Sequence, residues 1–315
     1  MPPQLVSIAL CTYNGAAYLK EQLDTLVNQT YPNCEIICVD DCSTDNTVEI
    51  LKQYTHSYPQ IKLHINSKNL GYTKNFEKAI GLCSGEYIAL CDQDDIWDKN
   101  KISIMSLLIG DNMLAYHDSA FVDENGNPLN KKISDVRNCY SGNDSRVFLF
   151  DNCVLGHAIF FKRALLHFMG NFNDVVIHDR WLAYAATNNG GIVFIDQALV
   201  QYRRHLNSNT NILPQERIKT SKSNSIDKMK FQLDITAIFV DYPFNTELPF
   251  KKRLLKLLQL RMESYTSFTL AYFLFKHRAI LFYIQKKSAI SKINMILKYV
   301  WGYKIKAISL FNVER

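Results

Sequence analysis

The sequence predicts an α/β protein built on a doubly wound, mostly parallel sheet and followed by a basic helical region. Three observations carry that reading. Short runs of branched and aromatic residues alternate with stretches of helical apolar spacing, a polar cluster follows three of those runs, and the charge balance changes sign along the chain. Residues 1–220 hold 19 lysines and arginines against 24 aspartates and glutamates, whereas residues 221–315 hold 17 against 6. Two regions with different partners are expected.

The apolar runs at residues 5–10 (LVSIAL), 35–39, 61–65, 87–91 and 113–116 each predict a buried strand. After the first of them, Tyr18, Leu19, Gln22, Leu23, Leu26 and Val27 recur at helical spacing. Asn46, with Glu49 three positions on, marks a helix start before Val48, Ile50 and Leu51. Residues 120–150 are irregular and polar and predict loops over a site; an apolar segment resumes at 154–161, and 192–195 predicts a further strand. The polar run 207–225 predicts a linker, so one domain is expected over residues 1–215 and a helical, basic one over 216–315.

The composition, 47% hydrophobic and 21% charged, excludes a disordered or fibrous chain. No apolar run approaches the roughly 20 residues of a membrane span, and the opening MPPQLVSIAL lacks a signal peptide's basic lead and cleavage site. A cytoplasmic location is expected. The eight cysteines are scattered without a CxxC pair, which predicts reduced, packed thiols rather than a zinc site.

Doubly wound sheets bind ligands beyond the carboxyl ends of their strands. The segments that leave the strands there are 11–15 (CTYNG), 40–45 (DDCSTD) and 92–95 (DQDD). Asp92, Asp94 and Asp95 would repel one another without a cation, and Mg²⁺ or Mn²⁺ held by one or two carboxylates plus phosphate oxygens suits a nucleotide diphosphate. The competing explanation is an acidic helix start near Trp97. Asp40 and Asp41 stand where such folds hold a nucleoside, although capping with Ser43, Thr44 and Asp45 accounts for part of that cluster. No GxGxxG, GxxxxGK[ST] or GxSxG occurs, which disfavours dinucleotide oxidoreductases, phosphate-loop NTPases and esterases.

The blocks CTYNGAAYLKEQLDTLVNQTYPNCEIICVDDCSTDNT and NLGYTKNFEKAIGLCSGEYIALCDQDDIWDKNK resemble the family 2 glycosyltransferases, inverting enzymes of the GT-A fold with nucleotide-sugar donors. The resemblance runs over about residues 4–210. Its later segment, HDRWLAYAATNNGGIVFIDQALVQYRRHLNSN, is similar to that of bacterial surface-polysaccharide enzymes, rhamnosyltransferases among them. The resemblance implies a nucleotide pocket of Thr12, Tyr13 and Asn14, with Asp41 on the base and Asn69, Gly71 and Asn75 bordering the donor. It makes Asp92 and Asp94 a DxD metal motif for Mn²⁺ or Mg²⁺, and Asp179 the catalytic base. A base is what inversion needs: one carboxylate takes the acceptor hydroxyl's proton as that oxygen attacks the anomeric carbon. Helix capping is the competing role for Asp179.

Arg203 and Arg204 suit a diphosphate, and His205 a metal shell, unless the three form a solvated basic turn. Trp97 and Trp181 suit a sugar ring or simple packing. The implied donor is dTDP-rhamnose or a UDP-hexose, and the implied acceptor a lipid-linked surface glycan of O-antigen or capsule type. A nucleotidyltransferase and a non-catalytic nucleotide-sugar-binding protein are the rival readings.

In the tail, residues 249–263 (PFKKRLLKLLQLRME) place Leu254, Leu257, Leu258 and Arg261 at helical spacing among lysines. Such a helix suits an anionic membrane surface; packing on the core or homodimer formation is the alternative. Nucleic-acid binding is not expected, because no recognised module accompanies the charge.

Overall fold

A computed structural model describes residues 3–204 and 225–311, with side chains to residue 307. The chain divides into two compact units: within the described residues, 3–135, 139–143 and 154–204 form the first, and 136–138, 144–153 and 225–311 the second. No disulfide joins the described cysteines, and no described helix is long and apolar enough to cross a membrane.

The first unit opens with β1 (Val6–Thr12), α1 (Ala16–Val27), β2 (Cys34–Asp40), α2 (Thr47–Ser57), β3 (Ile61–Ile65), α3 (Tyr72–Leu82) and β4 (Tyr87–Cys91). Parallel pairing orders these strands β3-β2-β1-β4. They are apolar without a break because both faces are covered. Val6, Ile8 and Leu10 meet Leu19, Leu23 and Leu26 of α1 on one side, and α3 packs on β1 and β2 with Phe76, Ala79 and Ile80 buried.

Beyond β4 the sheet becomes mixed. β5 (Ile96–Trp97), α4 (Lys101–Leu108), β6 (Leu114–Val122), β7 (Pro128–Lys132), the short α5 (Ile133–Val136), β8 (Ile159–Lys162), α6 (Leu166–Met169), α7 (His178–Asn188) and β9 (Ile192–Arg203) complete the series. The full order is β3-β2-β1-β4-β8-β6-β9-β5, with β8 antiparallel to β4 and β6, β9 parallel to β6, and β7 added to β6. The acidic cluster therefore leads into a two-residue strand, and the helix predicted near Trp97 begins four residues later. Part of the predicted 120–150 loop is strand.

Asn46 precedes α2, but its side chain makes no cap; Asp45 accepts from the Thr47 backbone N–H at 3.0 Å in its place. Register decides where the site lies. Thr12 pairs with Asp40 and Leu10 with Cys91, so the segments after β1, β2 and β4 leave the sheet at one level.

At the opposite end, Glu35 anchors the strand starts. Its carboxylate accepts Ser7 Oγ at 2.6 Å, Ser84 N and Oγ at 2.7 Å, and Lys62 Nζ at 2.7 Å. Burial alone would raise its pKa, but these donors prevail and hold it at about 2, against 4.5 ordinarily. A depressed carboxylate stabilises the fold above the unfolded pKa, and that stability is lost as pH falls from about 4.5 to 2. Glu35→Gln is expected to cost roughly 1–3 kcal/mol at neutral pH and to flatten the acid limb. Melts at pH 7 and pH 3 check this: a deficit of the same size at both would show that the ionised carboxylate is not the stabilising form.

The second unit is helical: α8 (Ser225–Asp241), α9 (Leu248–Glu263), α10 (Phe268–Lys276), α11 (Arg278–Leu281), α12 (Ala289–Leu297) and α13 (Tyr303–Phe311). α9 packs against α8 and α10 and buries Lys251, Leu254, Leu257, Leu258 and Arg261. Lys251 Nζ donates to Ser145 Oγ at 2.7 Å and Asn245 Oδ1 at 2.6 Å; Arg261 donates to the carbonyls of Trp301 and Lys298. The helix whose sequence suits a membrane surface is thus a packed core element of its unit.

Candidate active site

At the edge where β1, β2 and β4 end, polar side chains tie the three departing segments together. Asp40, fully buried, accepts Thr12 Oγ1 at 2.9 Å and Ser43 Oγ at 2.6 Å. Thr12 is consequently a strut whose hydroxyl is committed. Asn14 sits at φ 48°, where its side chain accepts the Thr44 N–H at 2.8 Å; a short amide tolerates that region better than most residues. Gln93 bridges to Tyr13, accepting its N–H at 2.8 Å and donating to its carbonyl at 3.0 Å. The Tyr13 ring is left 48% exposed at the mouth. A Cβ at Gly15 would stand 2.2 Å from Gln93 Oε1, so a side chain there would displace Gln93 from its bridge to Tyr13.

Asp41 organises the next loop. Its carboxylate accepts Asn66 Nδ2 at 2.8 Å, Leu70 N at 2.8 Å and Gly71 N at 2.9 Å, and its carbonyl accepts Asn69 Nδ2 at 3.2 Å. Gly71 occupies φ 80° at the start of α3, a conformation suited to glycine. Asn75 is buried with both ends of its amide in use, donating to the Val39 carbonyl and accepting from Asn66. It supports this loop from beneath.

The carboxylates after β4 divide in their surroundings. The Asp92 side chain is 39% exposed, Asp94 is half-buried, and Asp95 is buried. Asp95 Oδ1 accepts the Arg203 N–H at 3.0 Å, while Oδ2 makes no hydrogen bond. His157, which follows Gly156 before β8, turns Nδ1 toward Asp95 Oδ2 at 3.5 Å and Asp92 Oδ2 at 3.9 Å. Its Nε2 is held by Ser119 Oγ at 2.8 Å.

Burial, and then the nearby Lys101, pushes the His157 pKa down to about 3, so the imidazole is neutral and these contacts are not ion pairs. Burial raises Asp92 to about 7, with Asp94 and Asp179 adding repulsion and Lys101 opposing. Over a third of that side chain is open to solvent, which limits the contribution of burial and leaves repulsion from Asp94 and Asp179 a large part of the rise. Asp95 is raised well above its usual value by burial, then by Asp94 and Asp92.

Beneath this cluster Lys101 is wholly buried. Its Nζ lies 3.2 Å from the Trp97 ring centroid and donates to the His157 carbonyl at 2.6 Å. Burial lowers its pKa to about 7 against the pull of Cys91, Asp95 and Asp92.

The basic residues at the end of β9 serve the same loop. Arg203 donates to the carbonyls of Asp94 and Glu124 and to Glu21 Oε2, and its guanidinium stacks on Tyr18 at 4.8 Å. In place of the expected diphosphate contact, the guanidinium clamps the acidic loop to the fold. Arg204, also buried, donates to Tyr202 Oη at 3.1 Å, and the Tyr202 ring packs on His157 with centroids 4.5 Å apart. His205 lies outside the described residues.

Asp179 is the second residue of α7 and Ile177 the N-cap, so the capping position alternative to catalysis is taken by another residue. Asp179 is buried, accepts the Arg180 N–H, and its charge reaches Asp92. His178 beside it is buried on Phe76, centroids 4.5 Å apart, with neither ring nitrogen hydrogen-bonded. Trp181 donates Nε1 to the Met169 carbonyl at 2.9 Å and Trp97 lies under Lys101, both buried; packing rather than sugar stacking is their role.

Among the described residues, Asp92, Asp95 and His157 group donor atoms within 4.8 Å of one another. A buried carboxylate oxygen without a hydrogen bond, beside a neutral imidazole oriented by Ser119, fits a divalent cation. Of the expected set of Asp92, Asp94 and His205, this grouping contains Asp92; Asp94 is not in it, and His205 lies outside the described residues.

Residues 7–168 match the family model of the glycosyl transferase family 2. The chain is 28% identical to the dTDP-rhamnosyl transferase RfbG of Shigella flexneri, over 73% of this chain and 83% of the relative. It is 27% identical to the UDP-Glc:alpha-D-GlcNAc-diphosphoundecaprenol beta-1,3-glucosyltransferase WfgD of Escherichia coli, over 77% of this chain and 89% of that one. The crystal structure of S. aureus TarS 1-349 in complex with UDP-GlcNAc shares the fold, with a TM-score of 0.58 at 20% identity, over 81% of this chain and 71% of the other. With the family model spanning just over half of the chain, on an edge built from β1, β2 and β4, the protein belongs to the family 2 glycosyltransferases.

Proposed function

We propose that the protein is an inverting, metal-dependent glycosyltransferase that moves one sugar from a nucleotide-diphosphate sugar to a hydroxyl of a growing, lipid-linked bacterial surface polysaccharide. The observation that carries this reading is the Asp92, Asp95 and His157 grouping at the carboxyl edge of the sheet, with Asp179 near enough to perturb Asp92. The names of RfbG and WfgD support dTDP-rhamnose or a UDP-hexose as donor, and that of WfgD supports a lipid diphosphate acceptor.

In this reading the Tyr13 ring and the loop fixed by Asn14, Asp41, Asn69 and Gly71 receive the nucleoside. Asp41 keeps one lone pair for the base, since three of about four acceptor sites on its carboxylate are used. Asp92, Asp95 and His157 would hold Mn²⁺ or Mg²⁺, the imidazole favouring Mn²⁺, with half-buried Asp94 as a further carboxylate on the same loop. A divalent cation, when bound, neutralises charge on the departing diphosphate. Arg204 adds positive charge near the same phosphates, and Arg203 keeps the loop in place.

Asp179 takes the proton from the acceptor hydroxyl. The acceptor oxygen then bonds to the anomeric carbon as the bond to the diphosphate oxygen breaks and its electron pair leaves with the nucleotide. His178, buried with two uncommitted nitrogens, is placed to hydrogen-bond a sugar hydroxyl beside the base.

Purified protein offered a panel of UDP- and dTDP-sugars tests the reading. One donor is expected to raise the melting temperature by roughly 5 °C at a hundredfold excess over its Kd, in Mn²⁺ only, and to release nucleoside diphosphate when an acceptor is present. Consumption of a nucleoside triphosphate with a sugar phosphate would move the protein to the nucleotidyltransferases. Stabilisation without release from any donor would leave a binding protein.

A further inference from the structure

The second unit exposes a surface that the catalytic reading does not use. On α10, Leu270, Ala271 and Leu274 are buried, and Phe268, Tyr272 and Phe275, spaced four and three residues apart, share the solvent-exposed face. Phe268 and Tyr272 are 68% and 69% exposed, far beyond what a large ring in a folded unit ordinarily shows. Tyr265 and Trp301, each at least half exposed, extend the surface past the start of α10. Thr266 bridges to Trp301, and Gly302 N donates to the Tyr265 carbonyl at 2.8 Å, so these two segments are joined.

Cations accompany the rings. Arg278 lies 4.4 Å from the Phe275 ring and Lys304 Nζ 5.4 Å from the Tyr265 ring, with exposed Lys276 on the same helix. From residue 264 to 311 the chain carries eight lysines and arginines and no aspartate or glutamate.

We propose that this face docks on an anionic lipid bilayer, with α10 lying in the interface plane. Half-buried aromatic rings belong at the headgroup level, where ring and polar edge are both satisfied. Lysine and arginine stems lie along apolar surface while their heads reach phosphate, and the charges of Lys276, Arg278 and Lys304 match anionic lipid. A second copy of the chain fits less well, because a two-fold contact would set this positive surface against itself. The inference adds to the proposed lipid-linked acceptor without depending on it, since vesicle binding needs neither donor nor transfer.

The test is cosedimentation of the full chain with vesicles of phosphatidylglycerol and phosphatidylcholine, compared with phosphatidylcholine alone, at 0.1 and 0.5 M salt. Binding is expected to the anionic vesicles only and to weaken at high salt. Lys276→Gln with Lys304→Gln should weaken it about fivefold for each charge removed. Phe268→Ser with Tyr272→Ser, both solvent-exposed and so harmless to the fold, should weaken it at least about tenfold while melting temperature and transfer to a water-soluble acceptor stay unchanged. Equal binding to neutral vesicles, no binding to either, or undiminished binding by both double variants would overturn the proposal. So would a ring variant that turns a dimer into a monomer by light scattering with vesicle binding intact, which would make this face a contact between copies.

Discussion

Asp179→Asn is expected to slow sugar transfer by about 10²- to 10⁴-fold, the usual cost of removing a general base, while donor affinity changes little. Asparagine keeps the size of the side chain and an oxygen able to accept the Arg180 N–H, so the local fold survives. What is lost is the capacity to take the acceptor's proton. One further effect has a definite sign: Asp92 is raised by burial and then by the charges of Asp94 and Asp179. Removing the charge at 179 therefore makes Asp92 easier to ionise, and metal-supported donor binding should hold or tighten slightly at pH 6. Turnover and donor affinity measured on one preparation decide the matter. Turnover near that of the wild type would leave Asp179 a structural residue of α7, and parallel losses of turnover and donor affinity would place it in the donor pocket.

The parallel half of the sheet is legible in the sequence because its strands are buried on both faces: 61–65 and 87–91 coincide with β3 and β4, and the runs at 5–10 and 35–39 lie within a few residues of β1 and β2. Legibility fails where polar residues enter the core with their own partners. The predicted strand at 113–116 continues to Val122 through His117, Asp118 and Ser119. Asp118 is satisfied there by the Ser119 and Ser134 N–H groups and the Ser134 hydroxyl. Hydropathy alone ends the strand at such a place.

The site divides in the same way. DQDD announces itself by the repulsion three carboxylates would suffer. His157, in contrast, sits in an apolar run and reaches the acids only because β8 lies beside β4; the sole hint is a Gly-His pair within that run. Arg203 errs in the other direction. Its residue type suits a phosphate, but the carbonyls and Glu21 around it turn the guanidinium into a clamp, and only tertiary structure reveals that.

Asp92→Asn is expected to weaken Mn²⁺-dependent donor binding by about 100-fold, the upper end of what even the groups supporting a metal's ligands contribute, with little change in donor binding in chelator. The substitution removes one charge from a crowded group, so the apo protein should melt no lower than the wild type and even somewhat higher, because desolvation and repulsion fall together. A loss in the presence of metal joined to a gain without it is a signature that a purely structural aspartate cannot give.

The same measurement on His157→Gln and Asp94→Asn locates the ion. If Asp92, Asp95 and His157 hold it, His157→Gln should lose metal-dependent affinity nearly as severely as Asp92→Asn, whereas Asp94→Asn loses less and retains a Mn²⁺ response. A severe loss in Asp94→Asn with a mild one in His157→Gln would move the ion outward to the Asp92 and Asp94 pair. Asp95 and His157 would then become a buried support of the loop that carries Asp92 and Asp94, with Lys101 opposing the Asp95 charge.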